Sequence, residues 1–335
     1  MQITRKHICL LYVIIAFVAG IFSAIIGNRL NNKIYSPGKL WDIALFRIDD
    51  SEDFIERPYC NPDVIFSPQK NIRFKYHYVT GYADPFLFVD GEYLYLFYER
   101  EIYDGPAPIC AYRTKDLKRW EDLDVVLSES HHLSYPNVFR YNGDIYMIPE
   151  TRSTESVTLY KAHNFPYGWE KEKVLVENGC FVDSYIHQQE GKSFLFTTTW
   201  RSDDDGLRMF VADSLLGKFK ECTASPTITD YSFMRNGGAT ISDGANCYRP
   251  AQYDVNYYGE NLSLNKVEKL SEEEYEETFV KFMIDHENTW SRYGGHHMNT
   301  VIFKGERIVV FDGRIKDNWI NNRTRWIFSK KTAKE

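Results

Sequence analysis

Two stretches of the chain carry acids in the same arrangement. "YADPFLFVDGEYLYLFYE" (82–99) holds Asp84 near its start and Glu99 at its end, and "HLSYPNVFRYNGDIYMIPE" (132–150) ends in Glu150. Carboxylates crowded together raise one another's pKa values. A protonated acid beside an ionised one is the equipment of general acid/base and glycosidic chemistry. A glycine-containing turn, at Gly91 and Gly143, splits each stretch into two apolar runs, the usual hairpin signal. In a hairpin the start of one strand and the end of the next lie side by side, about 4.8 Å apart. Asp84 is therefore expected beside Glu99, and Tyr135 beside Glu150.

The hairpin recurs. "VDSYIHQQEGKSFLFTTTW" (182–200), "GGATISDGANCYRPAQ" (237–252) and "HHMNTVIFKGERIVVFDG" (296–313) repeat it around Gly191, Gly244 and Gly305. Between hairpins, "ICAYRTKDLKRWED", "LYKAHNFPYGWEKE" and "MFVADSLLGKFKE" each give a strand, a polar bend and an aromatic residue (Trp120, Trp169, Phe219). Four strands per unit, repeated roughly every 50 to 60 residues, is the spacing of propeller blades. The expectation is an all-β, five-bladed β-propeller over 59–335, reached from a connector at 28–58. "SEEEYEETFVKFM" (271–283) has a capping-box pattern, Ser271 with Glu274, and predicts a short helical insertion between blades four and five.

Placed on blades, the strand ends converge on one channel mouth: Asp84, Glu99, Glu150, Asp183, Gln252, His297 and Asp312, with Arg249 and Arg314 near in sequence. A single charged side chain at a strand end is commonly just solvated; several from separate blades point to a site. His132, Tyr135, Trp200 and Asn299 complete the candidate substrate contacts, the aromatic ones through stacking on sugar faces. Trp290 and Tyr293 are further aromatic candidates for which packing is the simpler role. The pairs His131-His132 and His296-His297 lack the spacing of a helical metal site, so hydrogen bonding is their expected part. A channel-bound divalent cation is the alternative, and no cofactor is expected. "SDDDG" (202–206) contains a D-x-D, Asp203 and Asp205, which reads most simply as an acidic loop. No Gly-rich phosphate loop, G-x-S-x-G or H-E-x-x-H occurs.

Hydrophobic residues at 43% allow a large core, and aromatics at 16% suit strands. A net charge of −7 gives no electrostatic footprint for nucleic acid. At the N-terminus, residues 8–26 form an uncharged apolar run after Arg5 and Lys6. Its length suits one bilayer crossing, and no A-x-A-like cleavage site follows it. A transmembrane signal anchor within 1–27 is expected, with a cytoplasmic N-terminus and the propeller on the exported side. Cys60, Cys110, Cys180, Cys222 and Cys247 show no C-x-x-C spacing, which argues against zinc.

At "ADPFLF", "HLSYPNVF", "IYMIPE", "LYKAHNFPYGW", "FVDS", "RPAQ" and "YGE" the sequence becomes specific. Over roughly 58–315 it resembles the N-terminal domain of plant glucosamine inositolphosphorylceramide transferases and their bacterial relatives, a propeller of the arabinanase/levansucrase/invertase type. In the plant proteins a separate C-terminal domain is the sugar transferase, so the resemblance implies a partner glycosyltransferase. From the propeller glycosidases it implies Asp84 as base or nucleophile and Asp183 as the residue tuning pKa values. The fourth-blade segment contains no glutamate, leaving Glu150 or Glu99 as the acid. Three readings stand: a membrane-anchored, glycosyltransferase-related protein of glycan or glycolipid assembly, which the anchor and family favour; a glycoside hydrolase; and a non-catalytic glycan-binding module.

Overall fold

A computed structural model describes residues 41–49, 52–68, 73–74, 77–200 and 204–315. The apolar run 8–26 lies outside them, and among the described residues no helix is long and apolar enough to cross a membrane. The chain opens with β1 (Trp41–Ile48), β2 (Val64–Phe66) and β3 (Arg73–Phe74). Blade one follows as β4 (His77–Asp90), β5 (Tyr93–Ile102), β6 (Ile109–Thr114) and β7 (Glu121–Leu127). Blade two is β8 (Ser134–Tyr141), β9 (Asp144–Glu150), β10 (Ser156–Asn164) and β11 (Tyr167–Glu177), with one 3-10 turn at Arg152–Thr154. Blade three is β12 (Phe181–Gln189), β13 (Lys192–Thr199), β14 (Gly206–Ala212) and β15 (Lys220–Glu221). Blade four is β16 (Ile241–Asp243), β17 (Asn246–Tyr253), β18 (Asn261–Leu270) and β19 (Tyr275–Phe282). The last two strands are β20 (Met298–Phe303) and β21 (Glu306–Arg314).

Blade five is completed from the other end of the chain. β1 pairs antiparallel with β21 from Trp41↔Arg314 to Ile48↔Arg307, and β2 pairs with β1. A single parallel pair, Trp41↔Gly81, joins this blade to blade one. The segment expected as a connector thus supplies one blade strand, β1, which closes the ring. Its sequence, WDIALFRI, is buried on both faces, so it lacks the in/out alternation that marks a half-exposed strand.

The expected helix at 271–283 is also a strand. β19 lies against β18, and Ser271 Oγ accepts from the amides of Glu273 and Glu274 at 3.2 and 2.9 Å while Ser271 N donates to Glu274 O. The residues of a capping box here close a hairpin turn, because serine's short side chain serves either backbone geometry. Strand geometry also carries Glu277 to the buried Arg249, with two bonds of 2.7 and 2.6 Å. That demand outweighs helix propensity.

Interblade layers of large apolar side chains hold the blades together. Phe97, Met147, Tyr160 and Trp169 fill one such layer, and Phe46, Tyr59, Trp290 and Phe311 another. Trp290 is therefore packing, with its Nε1 donating to Tyr59 O at 2.9 Å.

One backbone device is repeated in the inner strands of blades one to three. The register slips between Ala83 and Phe86, between Ser134 and Asn137, and between Val182 and Tyr185. Within the slips Asp84, Tyr135 and Asp183 take φ of 51°, 47° and 52°. Such a bulge turns a side chain out of the pleat, at a cost that non-glycine residues meet only where surroundings hold them.

Candidate functional site

The three bulges sit where the inner strands meet the ends of their partners, with Ala83 opposite Glu99, Ser134 opposite Glu150 and Val182 opposite Thr198. Each bulge amide is tied to a carboxylate of the preceding blade. Asp84 N donates to Asp312 Oδ2 (3.3 Å), Tyr135 N to Asp84 Oδ2 (3.1 Å), and Asp183 N to Glu150 Oε2 (3.2 Å). The acids are thereby fixed to the ring.

A cleft of about 750 Å³ opens above them. Asp84, Glu99, Glu101, Glu150 and Asp183 line it together with His132, Trp200, Arg235 and Tyr258. Burial pushes the carboxyl of Asp84 well up, aided by Glu99, Asp312 and Asp183 and opposed by His296. Burial raises Glu150 to about 7, with Asp183 adding and Arg235 opposing, and burial with Glu99 raises Glu101 to about 7. Asp183 is also raised by burial, against the pull of Arg235. Arg235 holds Asp183 Oδ2 from Nε (2.8 Å), has Asp254 Oδ2 3.7 Å from Nη1, and lies over the rings of Trp200 and Tyr258. Half-exposed His132 reaches Glu99 at 3.0 Å; burial works against its charge, but Glu99 wins and its pKa rises to about 9.

Beneath the cleft, His296 Nδ1 lies 2.6 Å from Asp312 Oδ2, its Nε2 meets Tyr258 Oη at 2.6 Å, and its ring stacks on Trp41 at 4.5 Å. Burial disfavours its charge, yet Asp312 and Asp84 lift its pKa to about 9. Its neighbour His297 is driven by burial to about 3 and is neutral at pH 7. Asp84, His296 and Asp312 have ligand-type atoms within 4.8 Å of one another. His296 is held between the two carboxylates, 2.6 Å from Asp312 and 4.0 Å from Asp84.

Of the residues picked from sequence, Asp84, Glu99, His132, Glu150, Asp183 and Trp200 line the cleft, and so does Asp205 of the D-x-D; Asp203 lies outside the described residues. Tyr135, His297 and Asp312 lie buried below, supporting it. Four others are elsewhere. Arg249 is fully buried inside blade four against Glu277, and Gln252 donates to Asn236 O at 2.8 Å. Asn299 accepts from Leu87 N, joining two inner strands, and Arg314 donates to Tyr258 O. Tyr293 is not part of the cleft lining. Sequence reading missed Arg235, Asp254, Tyr258, Arg152 and Glu101. The first four stand in aperiodic connections; Glu101 was within reach, two residues beyond Glu99 and so on the same strand face.

These features define a class: an all-β propeller with an acid-lined cleft at the mouth of its channel, built like the propeller glycosidases. The fold is shared by the catalytic domain of the Coprinopsis cinerea GH62 α-L-arabinofuranosidase (TM-score 0.54, 10% identity, 73% of this chain and 93% of that one). It is shared too by a thermostable family-43 glycoside hydrolase (TM-score 0.53, 14% identity, 70% and 89%). At such identities the likeness concerns fold alone. The chain belongs to the family described as "Glucosamine inositolphosphorylceramide transferase 1, N-terminal", which matches residues 36–314. It is 36% identical over 244 residues to glucosamine inositolphosphorylceramide transferase 1 of Arabidopsis thaliana, covering 69% of this chain and 32% of that protein. The protein of the same name from Oryza sativa subsp. japonica is 35% identical over 244 residues, covering 69% and 33%. The chain thus matches about a third of the length of these curated relatives.

Proposed function

We propose that the cleft binds the sugar or cyclitol part of a glycan or glycolipid, and that the protein serves sugar transfer in glycan or glycolipid assembly. The carrying observation is the meeting of Asp84, Glu150 and Asp183, from three blades, with the aromatic ring of Trp200 and the cation Arg235 in one cleft. Carboxylates accept the paired hydroxyls of a sugar, and an aromatic ring covers its C–H face. The relatives are named for transfer to inositolphosphorylceramide, which supports a glycolipid headgroup as the substrate class. In this reading a glycosyltransferase domain or partner chain performs the transfer. Residues 8–26 anchor the chain, N-terminus cytoplasmic, with the propeller on the exported side. The test is a thermal-shift screen of the chain against neutral sugars, glycolipid headgroups and nucleotide sugars, with Asp84→Asn beside it. Stabilisation by one class, lost in Asp84→Asn, is expected; a flat screen rules the sugar site out.

A second reading, hydrolysis, is favoured by Glu150, whose pKa of about 7 suits a proton donor at neutral pH. It requires release of free sugar from an oligosaccharide or glycolipid, reduced by roughly a hundredfold or more in Glu150→Gln. No release from any such substrate by the native protein eliminates it.

A further inference from the structure

The outer strands of the blades end in one of two ways, and β19 fits neither. β7 puts Leu123, Val126 and Leu127 into the interblade layers and β11 puts Trp169 and Leu175 there, while β2 and β15 are only three and two residues long. β19 runs for eight residues and buries none of them, although three are large and apolar. Phe279, Val280 and Phe282 are 47%, 37% and 41% exposed. The pairing skips Val280, between Leu264↔Lys281 and Asn265↔Phe279, and this bulge brings Phe279 and Phe282 to one face. Their rings meet there at 5.1 Å and join those of Phe233 and Tyr253. The outer edge of β19 also has no strand beside it among the described residues. Natural sheets keep such edges short, charged or covered. Lipid cannot satisfy the backbone groups of an open edge, so the cover that fits is another strand.

Charge narrows the choice of strand. Glu272, Glu273, Glu274, Glu276 and Glu277 gather on the first half of β19 and the turn before it. Lys192, Lys269 and Arg249 are their bonded cations, which leaves a surplus of negative charge. The fitting strand is therefore apolar along one half and basic along the other. The chain's own C-terminal segment has that composition: residues 316–335 hold six basic and two acidic residues, and "RTRWIFSKK" (323–331) places Trp326, Ile327 and Phe328 ahead of Lys330 and Lys331. The described residues end at 315, beside the connection between β17 and β18 of the same blade, where Arg314 Nη1 donates to Tyr258 O at 3.0 Å. β19 ends on that side too, with Phe282 opposite Ser263 and Met283 N donating to Leu262 O. Residues 316–322, if extended, reach about 23 Å, several times the spacing of about 4.8 Å between neighbouring strands. A strand entering from this end runs antiparallel to β19 and meets Phe282 and Phe279 first, the glutamates after. We propose that residues 323–331 add to β19 as a fifth, antiparallel strand of blade four, with Trp326, Ile327 and Phe328 covering Phe279, Val280 and Phe282, and Lys330 and Lys331 facing the glutamates.

The test is hydrogen exchange on the full-length chain and three variants of it. The first variant combines Trp326→Ser with Phe328→Ser, the second Lys330→Glu with Lys331→Glu, and the third adds Glu273→Lys and Glu276→Lys to the second. The β19 amides that face away from β18 are expected to exchange about tenfold or more slowly in the native chain than in the first variant, with β8 and β9 unchanged. The second variant weakens that protection, more so at low salt, and the third restores it. Equal exchange of β19 in the native chain and the first two variants overturns the proposal. Protection that fades on dilution, as a dimer dissociates, also overturns it and makes the segment of a second copy the occupant.

Discussion

Arg235 and Asp183 meet in the cleft on a single oxygen: Nε lies 2.8 Å and Nη2 2.7 Å from Asp183 Oδ2, while the guanidinium faces the ring of Trp200 at 5.0 Å. The pair is well buried, so each member depends on the other to offset the loss of water. Removing one partner of such a pair costs on the order of 3 kcal/mol because the remaining charge is stranded. Arg235→Met is therefore expected to lower unfolding free energy by about that amount. The double variant with Asp183→Asn recovers most of the stability but none of the sugar binding. Denaturant melts beside ligand titrations check this; full recovery of binding in the double variant would remove Arg235 and Asp183 from the site.

Glu150 and Glu101 give the fold a pH dependence below neutrality. Folded, both hold their protons to about pH 7, whereas an unfolded glutamate releases its proton near 4.5. Between those limits the folded chain binds more protons, so stability present below pH 4.5 is lost as pH rises to 7. At roughly 1.4 kcal/mol per pKa unit, the loss is expected to be about 3 kcal/mol for each glutamate. Glu150→Gln and Glu101→Gln should each flatten part of the slope. Melting temperatures from pH 4.5 to 7.5 measure it, and an unchanged slope in the double variant would refute the assignment.

What the sequence made legible, and what it hid, follows from periodicity. Asp84, Glu99, Glu150 and Asp183 were readable because they flank apolar runs joined by glycine turns, and the two arms of such a hairpin lie side by side. Arg249 misled because blade four departs from that pattern. Its inner strand shortens to Ile241–Asp243, and Arg249 lies mid-strand opposite Asn265, turned inward to Glu277. Arg235, Asp254 and Tyr258 stand in the connections on either side of β16 and β17, where no period announces direction. β1 hid for the opposite reason: burial on both faces erased its alternation, and its partner β21 lies at the far end of the chain.

That closure predicts where the ring is weakest. Trp41, 3% exposed, begins β1, pairs with both Arg314 and Gly81, and stacks on His296. Trp41→Ala removes a large buried ring at the seam between blades five and one, and is expected to cost about 3 to 5 kcal/mol. Hydrogen exchange should then quicken first in β1 and β21, the strands of the seam. Uniform quickening across all blades would show that the seam is no weaker than the rest.

His296 carries the pH dependence above neutrality. With Asp312 at 2.6 Å and Asp84 at 4.0 Å, its folded pKa is about 9 against 6.5 in the unfolded chain. The sign follows from that order: its contribution is fully present below pH 6.5 and is lost as pH rises through 9. His132, lifted to about 9 by Glu99, acts in the same window, but half-exposed and therefore more weakly. His297, driven to about 3, stays neutral across the window and contributes nothing there. His296→Gln should thus flatten the stability profile between pH 6.5 and 9 and leave the acidic slope of Glu150 and Glu101 intact. Histidine resonances followed by NMR provide the direct check. A buried imidazole titrating near 9 that disappears in His296→Gln is the expected result, and titration of that resonance below 7 would mean that Asp312 does not hold the proton on His296.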